Sequence, residues 1–225
     1  MKPLVSCIMP TYNRRAFVPH AIRYFLRQDY PERELVVVDD GEDPVEDLIP
    51  ADYRISYIRL PERHTIGAKH NIGCRLARGE LAVIWDDDDW MAPWRLSYQV
   101  AEFLGQDVDV SGSRVLLYLD LRTGQGWRYE YPRRERPWVA TPTFCFLREY
   151  LLAKPFPDEQ IAFGTDWLWS PAGPRIGTLA NPRFYVATIH SGNVATKSTS
   201  STWWHPRPQR EITGVLGDDW PLTES

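Results

Sequence analysis

Apolar and polar positions in the first hundred residues follow two alternating periods. "LVSCIM" (4–9) is a short apolar run stopped by Pro10 and predicts a strand. In "FVPHAIRYFLRQ" (17–28), Ala21, Ile22, Phe25 and Leu26 recur at helical spacing, and Pro19 is tolerated in a first turn. "ELVVVDD" (34–40) is a continuous β-branched run ending in acids, the pattern of a strand covered on both faces. "ISYIRL" (55–60) predicts a third strand, "IGAKHNIGCRLARG" (66–79) a helix closed by Gly79, "LAVIW" (81–85) a fourth strand and "APWRLSYQVAEFL" (92–104) another helix.

Strands alternating with helices argue for a mostly parallel sheet with helices on both faces. In such sheets ligands bind beyond the carboxyl ends of the strands. Three of those ends read "MPTYN", "VVDDG" and "WDDDDW", and all are polar.

After residue 107 the alternation is lost. "VDVSGSRVLLYLD" (108–120) and "GWRYEYP" (126–132) read as a strand pair around "RTGQG". "TPTFCFLREYL" (141–151) predicts a strand running into a helix, "FGTDWLWS" (163–170) a short helix and "RFYVATIH" (183–190) a strand. The tail from Ser191, rich in Ser, Thr, Pro and Trp, reads as mainly loop. With neither repeat nor linker, the expectation is one domain over 1–225 with two unlike halves, 1–106 and 107–225.

Composition narrows the partners. Hydrophobic residues at 43% and charged residues at 25% describe an ordinary globular chain, and a net charge of −4 argues against broad nucleic-acid binding. Ten Trp and eleven Tyr suit either sugar stacking or a dense core. Cys7, Cys74 and Cys145 are odd in number and far apart, so no disulfide framework or metal spacing is implied and a reduced, cytoplasmic protein is expected. "MKPLVSCIMPTYN" is broken by Pro10 and is not expected to act as a signal peptide. No run approaches a membrane span, so any membrane contact is expected to be peripheral, at the inner face.

Asp86, Asp87, Asp88 and Asp89 add nothing to a core, and four like charges in a row repel. A solvated turn, a Ca²⁺ loop or the Asp-x-Asp of a haloacid-dehalogenase-type phosphatase would each account for acids here. The last places its motif on the first strand, whereas this one ends the fourth. Flanked by an apolar strand, Trp85 and Trp90, the acids fit best as holders of Mg²⁺ or Mn²⁺ shared with phosphates. Asp39 or Asp40, ending the neighbouring strand, could accept hydrogen bonds from a base or ribose. Together these ends suggest a site for a nucleoside diphosphate bridged by a metal.

"VSCIMPTYNR", "ELVVVDDGED" and "IGAKHNIGCRLARGELAVIWDDDDW" resemble, in order and spacing, the nucleotide-sugar half of the family 2 glycosyltransferases, inverting enzymes of the GT-A fold. The resemblance covers residues 4 to about 104 and continues as short motifs. It implies that Pro10, Thr11 and Tyr12 cradle the base of a UDP- or GDP-sugar, that Asp40 bonds the base, and that Asp39 supports Asp40. It implies Lys69 near the diphosphate, Asn71 securing the loop, Asp86 at the ribose, and Asp88, with Asp89 close behind, as ligand to Mn²⁺ or Mg²⁺.

The second half should hold the acceptor, a glycan, a lipid-linked sugar or a small molecule, and the base that takes its proton. "FGTDWLWS" is similar to the family's Gly-Glu-Asp-like motif with Thr165 where Glu is usual, so Asp166 is the candidate base and Asp158 the fallback. His190 ends a strand as the acids do, and the resemblance implies a metal or diphosphate ligand there, with a structural histidine as the alternative. Lys197 could close over the phosphates or stay exposed, and Trp203 and Trp204 could stack on an acceptor sugar or pack their loop. Two other readings remain open: a non-catalytic nucleotide-sugar or glycan-binding module of the same fold, and a sugar nucleotidyltransferase, whose Gly-rich phosphate loop "MPTYNRRAF" lacks.

Overall fold

A computed structural model describes residues 2–221; Met1 and the last four residues of the tail, 222–225, lie outside the described residues. The first half follows the sequence pattern. β1 (Val5–Thr11), α1 (Val18–Leu26), β2 (Arg33–Asp39), β3 (Ile55–Arg59), α2 (Ile66–Leu76) and β4 (Leu81–Ile84) come in the expected order. β2 and β4 are buried at every position, as a sheet covered on both faces requires, whereas β3 at the edge is only half-buried. Thr65 caps α2 by accepting from the Ala68 N–H (3.1 Å).

The helix stops at Leu76, so Gly79 does not close it. Gly79 instead lies against β1, where its N–H donates to Ser6 Oγ (2.9 Å) and a Cβ would come within 2.7 Å of the Leu4 carbonyl.

β5 (Trp90–Met91) follows the acidic run and was too short to predict; α3 (Arg95–Leu104) follows it. The apolar run 108–120 is two strands in different sheets, β6 (Val110–Ser113) and β7 (Val115–Asp120). The Ser113 hydroxyl turns the chain between them, donating to the Val115 carbonyl (2.6 Å) and accepting from its N–H (3.1 Å). β7 does pair with β8 (Gly126–Glu130), and β9 (Cys145–Leu147) runs into α4 (Arg148–Ala153). α5 (Phe163–Leu168) is the expected short helix, followed by β10 (Ile176–Leu179) and β11 (Tyr185–Ile189). The tail, expected to be mainly loop, forms β12 (Trp204–Arg207) and α6 (Gln209–Leu216), anchored by buried Ile212 and Leu216.

Seven strands make one sheet in the order β10-β6-β9-β4-β1-β2-β3, with β9 antiparallel to both neighbours and the other pairs parallel. Five make a second sheet, β12-β8-β7-β11-β5. The chain leaves β1 through α1 toward β2 and returns from β3 through α2 to β4 on the other side of β1. Strand order therefore reverses between β1 and β4, and a crevice opens beyond their carboxyl ends. Residues 85–89 bridge β4 of the first sheet to β5 of the second.

Candidate active site

A cavity of about 820 Å³ occupies that crevice. All four tetrad carboxylates, Pro10, Thr11 and Tyr12 line it. Pairing of β5 with β11 brings Tyr185 and Thr188 onto the tetrad and separates the four acids by environment.

Asp89 is committed inward. Its carboxylate accepts the Thr188 N–H (2.7 Å) and is hydrogen-bonded to the Tyr185 hydroxyl. The same hydroxyl lies 3.0 Å from Asp86. One phenolic proton serves two carboxylates, so one of these must keep its own. The electrostatics agree: burial and then the Asp88 charge push Asp89 well above the ordinary carboxylate range and Asp86 to about 6. The same two causes raise Asp87 to about 7. For Asp88 burial works in the raising direction, but the His190 hydrogen bond and the Arg14 charge outweigh it and hold the group below its ordinary value. Asp88 is the carboxylate whose surroundings favour the ionised form. Beneath the tetrad, fully buried Arg95 donates to the Ile84 and Pro142 carbonyls (2.7 and 3.0 Å) and supplies compensating charge.

His190 stands behind Asp88, its Nε2 3.0 Å from Oδ2, with its ring against Phe17 (4.6 Å). The Gly192 N–H reaches its Nδ1 (3.2 Å), which makes Nδ1 the acceptor and leaves the proton on Nε2, donated to Asp88. Arg14 bonds the Gly192 carbonyl and lies 3.5 Å from Asp88. Among the described residues no three His, Cys, Asp or Glu side chains converge on one point. An ion here would take Asp88 and, in the tautomer with its proton on Nδ1, the Nε2 of His190 from the protein. Its remaining ligands would be phosphate and water, a donor set that fits Mn²⁺ or Mg²⁺.

At the other end, Tyr12 lies under the Arg63 guanidinium (4.2 Å to the ring). Asp39 has no exposed surface and accepts from the Gly41 and Val45 N–H groups (2.8 and 3.0 Å) and the Tyr57 hydroxyl (2.8 Å), fixing the loop after β2. Asp40, expected at the base, is not on the cavity wall: it accepts from the His64 N–H (2.7 Å) and Lys69 (2.6 Å). Lys69 does line the cavity, on the wall it shares with Thr11 and Tyr12. Its Nζ is buried and turned to Asp40 and the Thr11 carbonyl (2.9 Å). Asn71 clasps both backbone groups of Phe156 (2.9 and 3.0 Å) and so secures the loop as expected.

The acceptor side departs further from expectation. Residues 160–163 reach the wall, yet Asp166 is exposed on the outer side of α5 and does not line the cavity. Thr165 faces inward instead and accepts from the indole of Trp138 (3.0 Å), which does line it. Asp158 is exposed and accepts from the Thr65 hydroxyl (2.5 Å). Lys197 lines the cavity; Trp204 packs on Tyr118 (4.6 Å), and Trp203 and Trp204 are both off the wall. Arg14, Arg63, Tyr118 and Trp138 are wall residues that sequence reasoning missed. Only Arg14, directly after a polar strand end, carried a signal.

This architecture is the GT-A fold of nucleotide-diphospho-sugar transferases. A mannosyltransferase from Pyrobaculum calidifontis, solved with GDP-Man and Mn²⁺, superposes with a TM-score of 0.64 at 23% identity, over 84% of this chain and 57% of that one. S. aureus TarS 1–349, solved with UDP-GlcNAc, gives 0.63 at 19% identity, over 95% and 64%. The sequence profile of glycosyl transferase family 2 matches residues 6–160, and the chain belongs to that family. Its relatives include the putative colanic acid biosynthesis glycosyl transferase WcaA of Escherichia coli, 40% identical over 104 residues (44% of this chain, 37% of the relative). Another is the putative teichuronic acid biosynthesis glycosyltransferase TuaG of Bacillus subtilis, 32% identical over 108 residues (46% and 42%). The chain thus spans about two fifths of the length of these curated relatives.

Proposed function

We propose that this chain is the donor-binding core of a metal-dependent inverting glycosyltransferase that moves a sugar from a UDP- or GDP-sugar to an acceptor hydroxyl. The observation that carries the reading is Asp88: the one carboxylate of the four held below its ordinary pKa, facing a cavity at the strand-order reversal, with His190 and Arg14 beside it. A divalent ion, when bound, supplies positive charge against the leaving diphosphate. Arg14 adds a cation from the protein, and Lys197 a second one from the loop after β11.

Tyr12 and Arg63 on the cavity wall offer a face for the base, and Lys69, paired with Asp40 and the Thr11 carbonyl, holds the strand end that carries Tyr12. In transfer, the acceptor oxygen attacks the anomeric carbon, the bond to the diphosphate oxygen breaks, and the acceptor proton passes to a carboxylate base. Asp166 takes that role in this reading, which requires α5 to turn its outer face inward when the acceptor binds. Asp166's present exposure favours a second reading, a chain that binds the donor without turning it over. Acceptors of the kind named for the relatives, cell-surface polysaccharides, are the proposed class.

Calorimetric titration of UDP, GDP, CDP and ADP with Mn²⁺ and with EDTA tests the donor site. Binding of UDP or GDP that is lost with EDTA and in Asp88→Asn is expected. Binding of no nucleotide by the folded protein, or preference for CDP or ADP, overturns the reading. Release of UDP or GDP from the donor in the presence of acceptor, abolished in Asp166→Asn, separates transfer from binding alone.

A further inference from the structure

The stretch Pro132 to Pro137, Pro-Arg-Arg-Glu-Arg-Pro, leaves and re-enters the second half between two rings in contact, Tyr131 and Trp138, whose centroids are 4.9 Å apart. Arg114 fixes one side of this neck by donating to the Tyr131 carbonyl (2.6 Å), and Thr165 fixes the other through the Trp138 indole. Beyond the neck, residues 133–137 are all exposed. Arg136 folds back on Trp169, donating to its carbonyl (2.8 Å) with the guanidinium over its ring. Arg133 and Arg134 do not fold back: among the described residues neither has a carboxylate within ion-pair distance. In a chain of net charge −4, this loop sets three arginines against one glutamate, Glu135, and presents a net positive surface.

Its position gives the cations a context. Trp138 at the neck is a cavity wall residue, so the loop stands at the cavity's acceptor side. The same wall includes two aliphatic side chains turned mostly to solvent, Ile161 (54% exposed) and Val194 (51%). Trp203, partly exposed, meets Tyr131 edge-on (5.3 Å) at the base of the loop. Single exposed apolar residues are ordinary. Two aliphatics at one opening, with an amphipathic Trp and free arginines beside it, form the combination that seats a protein on an anionic bilayer.

We propose that the loop 132–137 and the apolar rim of the cavity dock this protein onto an anionic phospholipid surface, with the cavity mouth toward the lipid. Arg133 and Arg134 contact headgroup phosphates while Ile161, Val194 and Trp203 enter the interface. An acceptor carried on a lipid anchor would then meet the cavity from the membrane side.

The test is flotation with vesicles of pure phosphatidylcholine and of equimolar phosphatidylcholine and phosphatidylglycerol, without nucleotide. Binding to the anionic vesicles only, weakened by salt, is expected. Arg133→Ala with Arg134→Ala should weaken it about 25-fold, at about fivefold per arginine near a charged surface. Ile161→Ser with Val194→Ser should lower affinity while keeping the preference for anionic lipid. Equal binding to both vesicle types, no binding, or an unchanged arginine variant overturns the proposal. So does capture of soluble polyphosphate with vesicles ignored, which would assign the loop to a soluble polyanion. Nucleotide titration of the same folded variants reports on the donor site independently.

Discussion

Among the described residues nothing polar partners the buried imidazole of His70, and this makes the protein's acid stability predictable. It sits on α2 next to Lys69, 1% exposed, with neither ring nitrogen hydrogen-bonded. Phe163 packs tilted against it (5.3 Å) and Phe156 meets it edge-on (6.0 Å). Burial, and next the charge of Lys69, lower its pKa from 6.5 to about 3. The folded state therefore keeps the ring neutral while the unfolded chain takes up a proton below pH about 6.5. The contribution is fully present above that pH and is lost as pH falls toward 3, with a limiting slope of about 1.4 kcal/mol per pH unit. At pH 5 the loss is about 2 kcal/mol, or roughly 4–8 °C in Tm for a chain of this size.

His70→Leu removes the titration and fits the phenylalanine surroundings. It also removes two unpaired buried nitrogens, so the variant should be more stable by about 1–3 kcal/mol even at pH 8. Urea unfolding of both proteins from pH 8 to pH 4 measures the difference, and other titrating groups cancel in it. The gap should widen below pH 6.5. Curves that stay parallel, or a variant less stable at every pH, would refute the argument by showing that the imidazole has a partner in the folded state.

Lys69→Met leaves Asp40 buried with one remaining donor and should cost about 3–5 kcal/mol in urea unfolding; adding Asp40→Asn should recover most of that. Tyr185→Phe takes the shared proton donor from Asp86 and Asp89 and should destabilise by about 1–3 kcal/mol, with the loss reduced when Asp89→Asn is combined with it. Asp87→Asn removes a carboxylate that burial and Asp88 already disfavour, and should raise the Tm of the metal-free protein at pH 8. Asp88→Asn should leave Tm nearly unchanged in EDTA but abolish the rise produced by Mn²⁺ with the preferred nucleotide.

The sequence made β1, β2 and β4 legible because these strands are buried on both faces and so appear as unbroken apolar runs. The pairing that shapes the site was not legible. Tyr185 and Thr188 meet Asp89 from about a hundred residues away, and nothing local in "RFYVATIH" marks them as donors to the tetrad. Arg95 sits on an amphipathic helix where an arginine reads as solvent-facing, and only the packing of α3 under the tetrad buries it. β12 was hidden by Pro206, which ordinarily argues against a strand and is tolerated here because β12 is the sheet edge. Asp166 was chosen from a motif, and a motif fixes position along α5 but not the face of a one-and-a-half-turn helix that meets the cavity. His190 followed from a general rule, that polar strand ends face the crevice, and the fold does bring it to Asp88.

Why four acids stand in a row has an answer in connectivity. The run is the crossing between two sheets, and a crossing of five residues gives each side chain a different neighbourhood. Asp89 lies nearest the second sheet and accepts its backbone donor, the Thr188 N–H, which helps hold β5 to β11. Asp86 lies nearest the first sheet and shares the Tyr185 proton. Asp87 is buried beside Asp88, and burial first and the Asp88 charge next raise it to about 7. Asp88, midway, is met by the two side chains that favour a negative charge, His190 from directly after β11 and Arg14 from the loop after β1. The repulsion that makes the tetrad a poor core element thus concentrates ionisation on one residue, because each neighbour is easier to protonate than Asp88. A cation entering the cavity meets a single strong acid whose neighbours can release further protons as positive charge arrives. The same carboxylates dispersed along the chain would have no such coupling.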